Sequence, residues 1–159
     1  MEPFEQVVRD HGAVVWRVCA AIVGRSDADD AWSDTFLSAM RAYPDLDPGR
    51  EVRPWLLTIA RRRSIDLLRR RRAEVVPPSD ARLDLAVEAD PPAEVDVTLS
   101  RSLAHLGERQ RTAVALRYLA DQSYAHIGEV LECTEAAARR SAADGIAHLR
   151  RSITQGAPS

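Results

Sequence analysis

The sequence predicts an all-α protein of two small helical domains, and three observations support that prediction. Apolar residues recur every three or four positions over most of the chain, the spacing that places them on one face of a helix. The strict alternation of apolar and polar residues that marks a half-buried strand is not found over any length. An acidic, proline-rich segment interrupts the helical pattern and divides the 159 residues into two parts.

The dividing segment is residues 73–97, which we predict to be a flexible linker. It contains two Pro-Pro pairs, seven acidic residues against one arginine, and no aromatic residue. Prolines resist helix formation and the acidic side chains repel one another, so this composition favours an extended chain. The predicted domains are then residues 1–72 and residues 98–155.

The charged residues are grouped in blocks, which the net charge of −2 conceals. Residues 50–72 contain nine arginines and two acidic residues, whereas residues 1–49 contain four arginines and nine acidic residues. All 22 basic residues of the chain are arginine. The basic block is compatible with a solvated helix face, and equally with a surface that binds the phosphates of a nucleic acid.

No residue pattern indicates a catalytic, metal or cofactor site. The two cysteines and four histidines are scattered, and the common nucleotide-binding and hydrolase motifs are absent. We therefore expect no catalytic residue, no metal and no cofactor, and a protein that is not an enzyme. The longest apolar run is shorter than the roughly 20 residues of a membrane helix. We expect a cytoplasmic protein that does not insert into membranes and is a monomer when free of partners.

The N-terminal domain begins with two predicted helices. The first spans Phe4–Ile22 and ends at Gly24. The second spans residues 26–43, with Ser26 or Asp27 as its N-cap. The 3.6-residue period predicts that its inner face contains Trp32, Thr35, Phe36, Ala39 and Met40.

A loop at residues 44–49 is predicted to precede a third helix at about Arg53–Arg72. On a helical wheel, Arg62, Asp66 and Arg69 fall on the side of this helix opposite its apolar face. The apolar face is predicted to contain Leu56, Leu57, Ala60, Ser64, Leu67 and Leu68. The helix therefore has a core face and an outward arginine face.

The C-terminal domain has the spacing of a helix-turn-helix. A short helix at Tyr124–Leu131 is followed by a turn at Glu132–Cys133, and Thr134 caps a second helix that runs to about Arg151. Ala125 is predicted at the contact between the two helices. In such a unit the N-terminal part of the second helix reads the major groove of DNA, whereas a plain helical hairpin is the structural alternative.

Three segments resemble those of a known family. They are DADDAWSDTFLSAMRAY (residues 27–43), LDPGREVRPWLLTIARRRSIDLLRRR (residues 46–71) and LGERQRTAVALRYLADQSYAHIGEVLEC (residues 106–133). In this order, with the acidic segment between the second and the third, they are similar to an extracytoplasmic-function (group IV) sigma factor of bacterial RNA polymerase. The resemblance covers about residues 4–151.

The resemblance implies an alternative sigma factor that directs core RNA polymerase to specific promoters. The N-terminal domain would dock on the polymerase clamp and melt the minus-ten element, and the C-terminal domain would bind the polymerase flap and the minus-thirty-five element as duplex. The acidic linker would thread the RNA exit path. An anti-sigma factor is a further implied partner.

The resemblance also implies roles for individual residues. The residues implied in polymerase docking are Asp30, Ser33, Asp34 and Leu37. The residues implied in contacts with the minus-ten region are Arg50, Arg53, Arg61, Arg62, Arg63, Asp66, Arg69 and Arg70. The residues implied in the recognition helix are Thr134, Glu135, Ala137, Arg139, Arg140 and Ser141. Ser141 and Asp144 stand where the family commonly has arginine, which predicts an unusual minus-thirty-five readout.

Two other function classes remain open at this stage. A stand-alone helix-turn-helix regulator explains residues 98–151 but leaves the arginine block unexplained. An interaction protein, such as a sigma mimic, would keep the docking helix and lose DNA binding. Association with core RNA polymerase distinguishes the regulator from the sigma factor, because a classical repressor finds its site without the polymerase.

Overall fold

The computed structural model describes residues 1–74 and 94–156, with side chains described for residues 1–74 and 98–154. Every regular element in these ranges is helical, so the all-α prediction is confirmed for the described residues. The α-helices are α1 Phe4–Val23, α2 Arg25–Ala42, α3 Val52–Ala73, α4 Glu94–Ala104, α5 Glu108–Val114, α6 Tyr124–Leu131 and α7 Glu135–Gly156. A 3₁₀ turn at Tyr43–Asp45 follows α2, and a π-helical segment at Ala115–Leu119 follows α5.

Helices α1, α2 and α3 pack against one another as an N-terminal bundle. Gly24 alone separates α1 from α2, and its φ of 90° lies in the left-handed region that glycine adopts without strain. The predicted caps of α2 are wrong: the helix begins at Arg25, so Ser26 and Asp27 already lie in its first turn. The chain turns so tightly at Gly24 that no residue with a capping side chain precedes α2.

The inner face of α2 was predicted correctly except at one edge. Thr35, Phe36 and Ala39 are buried, and half-buried Trp32 donates its indole N–H to the carbonyl of Gly12 at 2.9 Å. Met40, in contrast, is 50% exposed. At about 100° per residue, Met40 lies roughly 90° from the centre of the buried face, too far to reach the core.

The helix-turn-helix has the predicted first helix and the predicted cap of the second. Helix α6 is Tyr124–Leu131, and the hydroxyl of Thr134 accepts a hydrogen bond from the Ala137 N–H at 3.0 Å. Glu132 adopts the left-handed conformation in the turn, with φ of 56°. Helix α7 is longer than predicted and continues to Gly156.

The contact between α6 and the turn involves Gly128, not Ala125. Ala125 is exposed, so its predicted place at the helix contact is wrong. A Cβ atom on Gly128 would lie 2.8 Å from the carbonyl oxygen of Cys133, closer than real Cβ contacts. The chain after the turn therefore approaches α6 so closely that only glycine fits at this position.

The two halves of the chain pack against each other. Helix α1 contacts α4, α5 and the π-helical segment, and α3 contacts α6, so the buried apolar residues form one continuous core. The guanidinium of Arg111, on α5, donates to the carbonyl of Ile22 in the last turn of α1. Most of the predicted linker, residues 75–93, lies outside the described residues, and helix α4 begins at Glu94, within the linker's predicted C-terminal end.

Candidate nucleic-acid and polymerase interface

Helix α3 presents its predicted arginine face, but the arginines on it differ in their partners. Arg62, Arg69 and Arg72 are exposed and form no ion pair with the described residues. Arg61 is half-buried and bonds the carboxylate of Glu108 on α5 at 2.9 Å. Part of the positive charge of α3 is thus neutralised by an acidic side chain of the same protein.

Three further arginines of α3 contact acidic residues. Arg63 lies 3.6 Å from Asp66 on the same helix, and Arg70 lies 3.3 Å from Asp34 on α2. Arg71 makes the densest set of ion pairs, with Asp27 at 2.9 Å, Asp30 at 3.6 Å and Glu74 at 3.7 Å. The pairs of Arg70 with Asp34 and of Arg71 with Asp27 and Asp30 join α2 to α3 and offset part of the positive charge of α3.

The two arginines before and at the start of α3 also have different surroundings. Arg50 is exposed in the turn that precedes the helix, where its N–H bonds the carbonyl of Asp47 at 3.0 Å. Arg53 is half-buried and donates to the imidazole of His11 at 3.1 Å and to the carbonyl of Asp10 at 3.4 Å. Burial, and then the nearby Arg53 charge, lower the pKa of His11, which favours the neutral ring as acceptor.

Two of the four predicted docking residues, Asp34 and Leu37, line an open groove between α2 and α3. Ser33 and Leu37 are exposed, and Leu37 and Met40 are among the few large apolar side chains that are about half exposed. The groove has a volume of about 580 Å³. Its lining residues are Asp34, Leu37, Ser38, Arg41, Arg63, Asp66, Arg69 and Arg70. Predicted polymerase-docking residues and predicted DNA-contact residues therefore face the same groove.

In the second half of the chain, α7 presents a short polar surface at its N-terminal end. Arg139 and Arg140 are exposed, Ala137 and Ser141 are half-buried, and Asp144 is exposed one turn further on. Glu135 in the first turn lies 3.5 Å from Arg139, with both side chains more than half exposed. Two arginines and two acidic residues therefore share this surface.

Sequence reasoning missed the aromatic ring next to Arg139. The guanidinium carbons of Arg117 and Arg139 lie 4.4 Å and 4.9 Å from the ring centroid of Tyr124. These are cation–π distances, and they connect the π-helical segment, α6 and α7. The signal in the sequence was a tyrosine at the first position of α6, but a helix pattern does not show which distant arginines reach it.

Sequence reasoning also missed the contacts between the two halves. Thr58 Oγ1 on α3 and His126 Nε2 on α6 are 3.3 Å apart, on the same interface as the Arg61–Glu108 pair. Burial lowers the pKa of His126, and the nearby Arg50 acts in the same direction, while Glu129 opposes them. The imidazole is therefore held neutral at this contact.

The groups capable of metal or thiol chemistry are dispersed. In residues 1–74 and 94–156, His, Cys, Asp and Glu side chains do not form a cluster that could hold a metal ion. Both cysteines are free, and burial raises the pKa of Cys19 to about 11, which keeps that thiol protonated. Among the described helices, none is both long and apolar enough to cross a membrane.

Comparison with protein families matches both halves of the chain. Residues 7–74 match sigma-70 region 2, and residues 96–149 match sigma-70 region 4. The first match covers α1 to α3, and the second covers most of α4 to α7. The helix with the arginine face and the helix-turn-helix therefore correspond to two regions of one family.

Several curated proteins are similar to this chain. A probable RNA polymerase sigma-C factor of Mycobacterium bovis is 34% identical over 122 residues, which are 75% of this chain and 66% of that protein. The sigma factor CarQ of Myxococcus xanthus is 32% identical, over 94% of this chain and 88% of that protein. The sigma factor SigM of Mycobacterium tuberculosis is 31% identical, over 93% and 76%.

Two solved structures have a similar fold. CnrH, in complex with the cytosolic domain of CnrY, has a TM-score of 0.72 and 26% identity, with coverage of 97% of this chain and 89% of CnrH. The sigma factor RpoE of Bartonella quintana, in complex with the anti-sigma factor NepR, has a TM-score of 0.79 and 19% identity, with coverage of 95% and 96%. Both halves of the fold have counterparts in these structures.

Proposed function

This chain belongs to the sigma-70 family, in its extracytoplasmic-function group, and from that premise we propose that it is an alternative sigma factor that directs core RNA polymerase to specific promoters. The main support is the presence of region 2 and region 4 in one chain, each with exposed arginines on one helix. A stand-alone regulator is not favoured, because it has no need for region 2. A sigma factor acts on RNA polymerase in the cytoplasm and needs no catalytic residue of its own.

We propose that α3 holds the melted strand of the minus-ten element. Arg62 and Arg69 are exposed and can neutralise phosphates, and Arg50 lies directly after the loop at residues 44–49. Trp55 is half-buried and its ring centroid is 6.3 Å from that of Tyr43, so it is a poor stacking platform for a base. Phosphate contacts and capture of a few bases in the loop then supply most of the free energy of strand binding.

The helix-turn-helix is proposed to bind the minus-thirty-five element as duplex, with α7 in the major groove. Arginine donates two hydrogen bonds to guanine there, so Arg139 and Arg140 favour a guanine-containing site. Ser141 and Asp144 provide less positive charge than arginines would. Binding by α7 is therefore expected to depend more on base contacts, and less on phosphate attraction, than binding by α3.

Contact with both promoter elements requires the two halves of the chain to separate. The element names place their centres about 25 base pairs apart, which is about 85 Å of duplex at 3.4 Å per base pair. A compact chain of this length has a radius of gyration of about 15 Å. The packed arrangement, with Arg61 bound to Glu108 and His126 next to Thr58, therefore represents the protein away from the promoter.

The polymerase clamp is the proposed partner of the exposed α2 surface at Ser33, Asp34 and Leu37, with Asp30 at its edge, and the flap is the proposed partner of region 4. Asp30 and Asp34 pair with Arg71 and Arg70 here, so docking has to exchange or retain these ion pairs. A protein that binds the sigma factor itself, such as an anti-sigma factor, is proposed as a further partner, since CnrH, a chain of similar fold, binds the cytosolic domain of another protein, CnrY.

Capture by core RNA polymerase, followed by run-off transcription on genomic fragments, tests the proposed function. We expect a stable complex on gel filtration and new transcripts that require this protein. The Leu37→Asp variant should lose the complex. The Ile153→Asp variant is the matched control, because Leu37 and Ile153 are both 49% exposed. Binding of promoter DNA without the polymerase, together with no capture by the polymerase, would favour the stand-alone regulator instead.

A further inference from the structure

Tyr124 contacts two arginines, and the proposed function gives this tyrosine no role. It is the first residue of α6 and is half-buried. The guanidinium carbon of Arg117 lies 4.4 Å from its ring centroid, and that of Arg139 lies 4.9 Å away. Like charges repel, so two guanidiniums on one ring need a compensating attraction, which the electron-rich faces of the ring provide.

The Arg117 side of this stack is fixed by the fold. The Arg117 guanidinium donates to the carbonyl of Gln122 at 3.1 Å. Gln122 is itself buried, and its side-chain amide donates to the carbonyl of Ala120 at 2.8 Å. These hydrogen bonds hold Arg117, on the π-helical segment, next to the ring of Tyr124 at the start of α6.

The Arg139 side is exposed to solvent. Its other contact is with Glu135 at 3.5 Å, and at this distance and exposure an ion pair restrains a side chain only weakly. A planar guanidinium that stacks on a ring keeps its N–H groups at the edge, free to donate in the plane. The contact with the ring of Tyr124 thus restrains the direction of Arg139 without consuming its hydrogen-bond donors.

We propose that Tyr124 is a positioning residue for promoter recognition, which holds Arg139 in the orientation that donates two hydrogen bonds to a guanine of the minus-thirty-five element. This inference rests on the proposed function, in which α7 lies in the major groove. A long arginine side chain loses conformational freedom when it binds a base. Tyr124 restricts that freedom before DNA arrives, so less is lost on binding.

A double-mutant cycle in the holoenzyme tests the proposal. The variants are Tyr124→Leu, Tyr124→Phe, Arg139→Ala and the double variant Tyr124→Leu with Arg139→Ala, each with core polymerase and a promoter found by run-off transcription. A cation–π contact at an exposed site corresponds to about a two- to fivefold change in affinity. We expect Tyr124→Leu to weaken promoter binding by that factor, and Tyr124→Phe, which keeps the ring face, to match the wild type.

The base preference gives the readout that a purely structural role would not change. Each guanine of the minus-thirty-five element is replaced by adenine in turn. We expect Arg139→Ala to lose discrimination at one guanine, Tyr124→Leu to lose part of it at the same guanine, and Tyr124→Leu to have no further effect once Arg139 is alanine. Tyr118→Leu is the control for loss of a tyrosine, because Tyr118 is 56% exposed and has no place in the stack.

Three results would overturn the proposal. An equal loss from Tyr124→Leu with and without Arg139 would show that the ring acts elsewhere. An unchanged base preference in Arg139→Ala would remove the contact that Tyr124 is said to position. A Phe variant as weak as the Leu variant would assign the effect to the hydroxyl. If Tyr124→Leu lowers the Tm, Tyr124→Met replaces it. If run-off transcription persists in all variants, the proposed function as a sigma factor stands, even where one of these results overturns the role of Tyr124.

Discussion

Helices α3 and α7 are both 22 residues long and both contain exposed arginines, but they hold them differently. On α3 the arginines are numerous and several of them are paired with acidic residues of the same protein, such as Arg61 with Glu108 and Arg71 with Asp27. On α7 the arginines are few, and Arg139 is held by an aromatic ring. The number of arginines on a helix is therefore a poor measure of the charge that it offers to DNA.

The difference suggests two ways of binding DNA within one chain. Arg62 and Arg69 on α3, which form no ion pair with the described residues, suit sequence-independent contacts with phosphates. An oriented Arg139 on α7 suits a directional contact with one base.

The largest effect is expected from removal of the unpaired arginines of α3. The double variant Arg62→Ala with Arg69→Ala loses two charge-assisted contacts, so open-complex formation should fall on the order of 100-fold or more. The slope of log affinity against log salt should decrease by about 1.4 to 1.8. Arg9→Ala with Arg101→Ala is the control of equal charge, because both side chains are exposed on other helices. Equal losses in the two double variants would mean that total charge, and not α3, determines binding.

A large loss of stability is expected at the helix-turn-helix turn. The Gly128→Ala variant places a Cβ atom 2.8 Å from the Cys133 carbonyl, and relief of that contact requires the backbone to move. We expect a destabilisation of about 1–3 kcal/mol, measured by chemical denaturation, with loss of duplex binding by α7. Gly107→Ala is the control, since a Cβ atom there meets nothing within 4 Å. A stable Gly128→Ala protein would show that the turn is looser than described.

The sequence was sufficient for features that depend on neighbouring residues. Helix α6 and the Thr134 cap follow from a run of about ten residues, and the arginine face of α3 follows from its period. Two local placements were wrong: spacing alone did not show how closely the turn approaches Gly128, which takes the helix contact in place of Ala125, or that Met40 lies beyond the edge of the buried face. Contacts between residues far apart in the sequence were not predictable. The pairing of Arg61 with Glu108, 47 positions away, and of Arg139 with Tyr124, depends on the tertiary fold.

Removal of the acidic partner of one paired arginine should increase the positive charge that α3 offers to DNA. The Glu108→Gln variant removes the partner of Arg61, which loosens the contact between the two halves and frees one guanidinium. Both side chains are less than one third exposed, so we expect about a two- to fivefold gain in promoter affinity and a more extended protein by small-angle scattering. Glu5→Gln on α1 is the control. Unchanged dimensions would show that the remaining contacts between the halves hold them together without the Arg61–Glu108 pair.

A smaller effect is expected from pH. The pKa of His126 is below its ordinary value of 6.5 because burial, aided by Arg50, disfavours the charged ring against the opposing Glu129 and Pro54 carbonyl. The packing of the neutral ring is therefore fully stabilised above pH 6.5, and that stabilisation is lost as the pH falls through the lowered pKa. Scattering between about pH 7.5 and about pH 5.5 should show expansion, and His126→Gln should reduce it. An identical pH profile in His126→Gln would assign the expansion to another group, such as His11.

The smallest effect is expected from Asp144, which is exposed on the proposed DNA surface of α7. A like charge at about 4 Å in water costs about 1 kcal/mol. The Asp144→Asn variant should therefore bind the minus-thirty-five duplex up to about fivefold more tightly, measured by fluorescence anisotropy of the holoenzyme. Asp121→Asn, outside α7, is the control. A loss of affinity would instead indicate that Asp144 accepts a hydrogen bond from a cytosine.

Footprinting of promoter complexes, with DNase I for protection of the minus-thirty-five duplex and permanganate for unpaired thymines of the minus-ten element, tests the division of roles between α3 and α7 most directly. Core polymerase is combined with the wild type, with Arg62→Ala plus Arg69→Ala, or with Arg139→Ala plus Arg140→Ala. We predict that the α3 variant protects the minus-thirty-five element but leaves the minus-ten thymines unreactive, whereas the α7 variant loses that protection yet melts the minus-ten element once it is saturating. Equal loss of protection and melting in both variants would contradict the account.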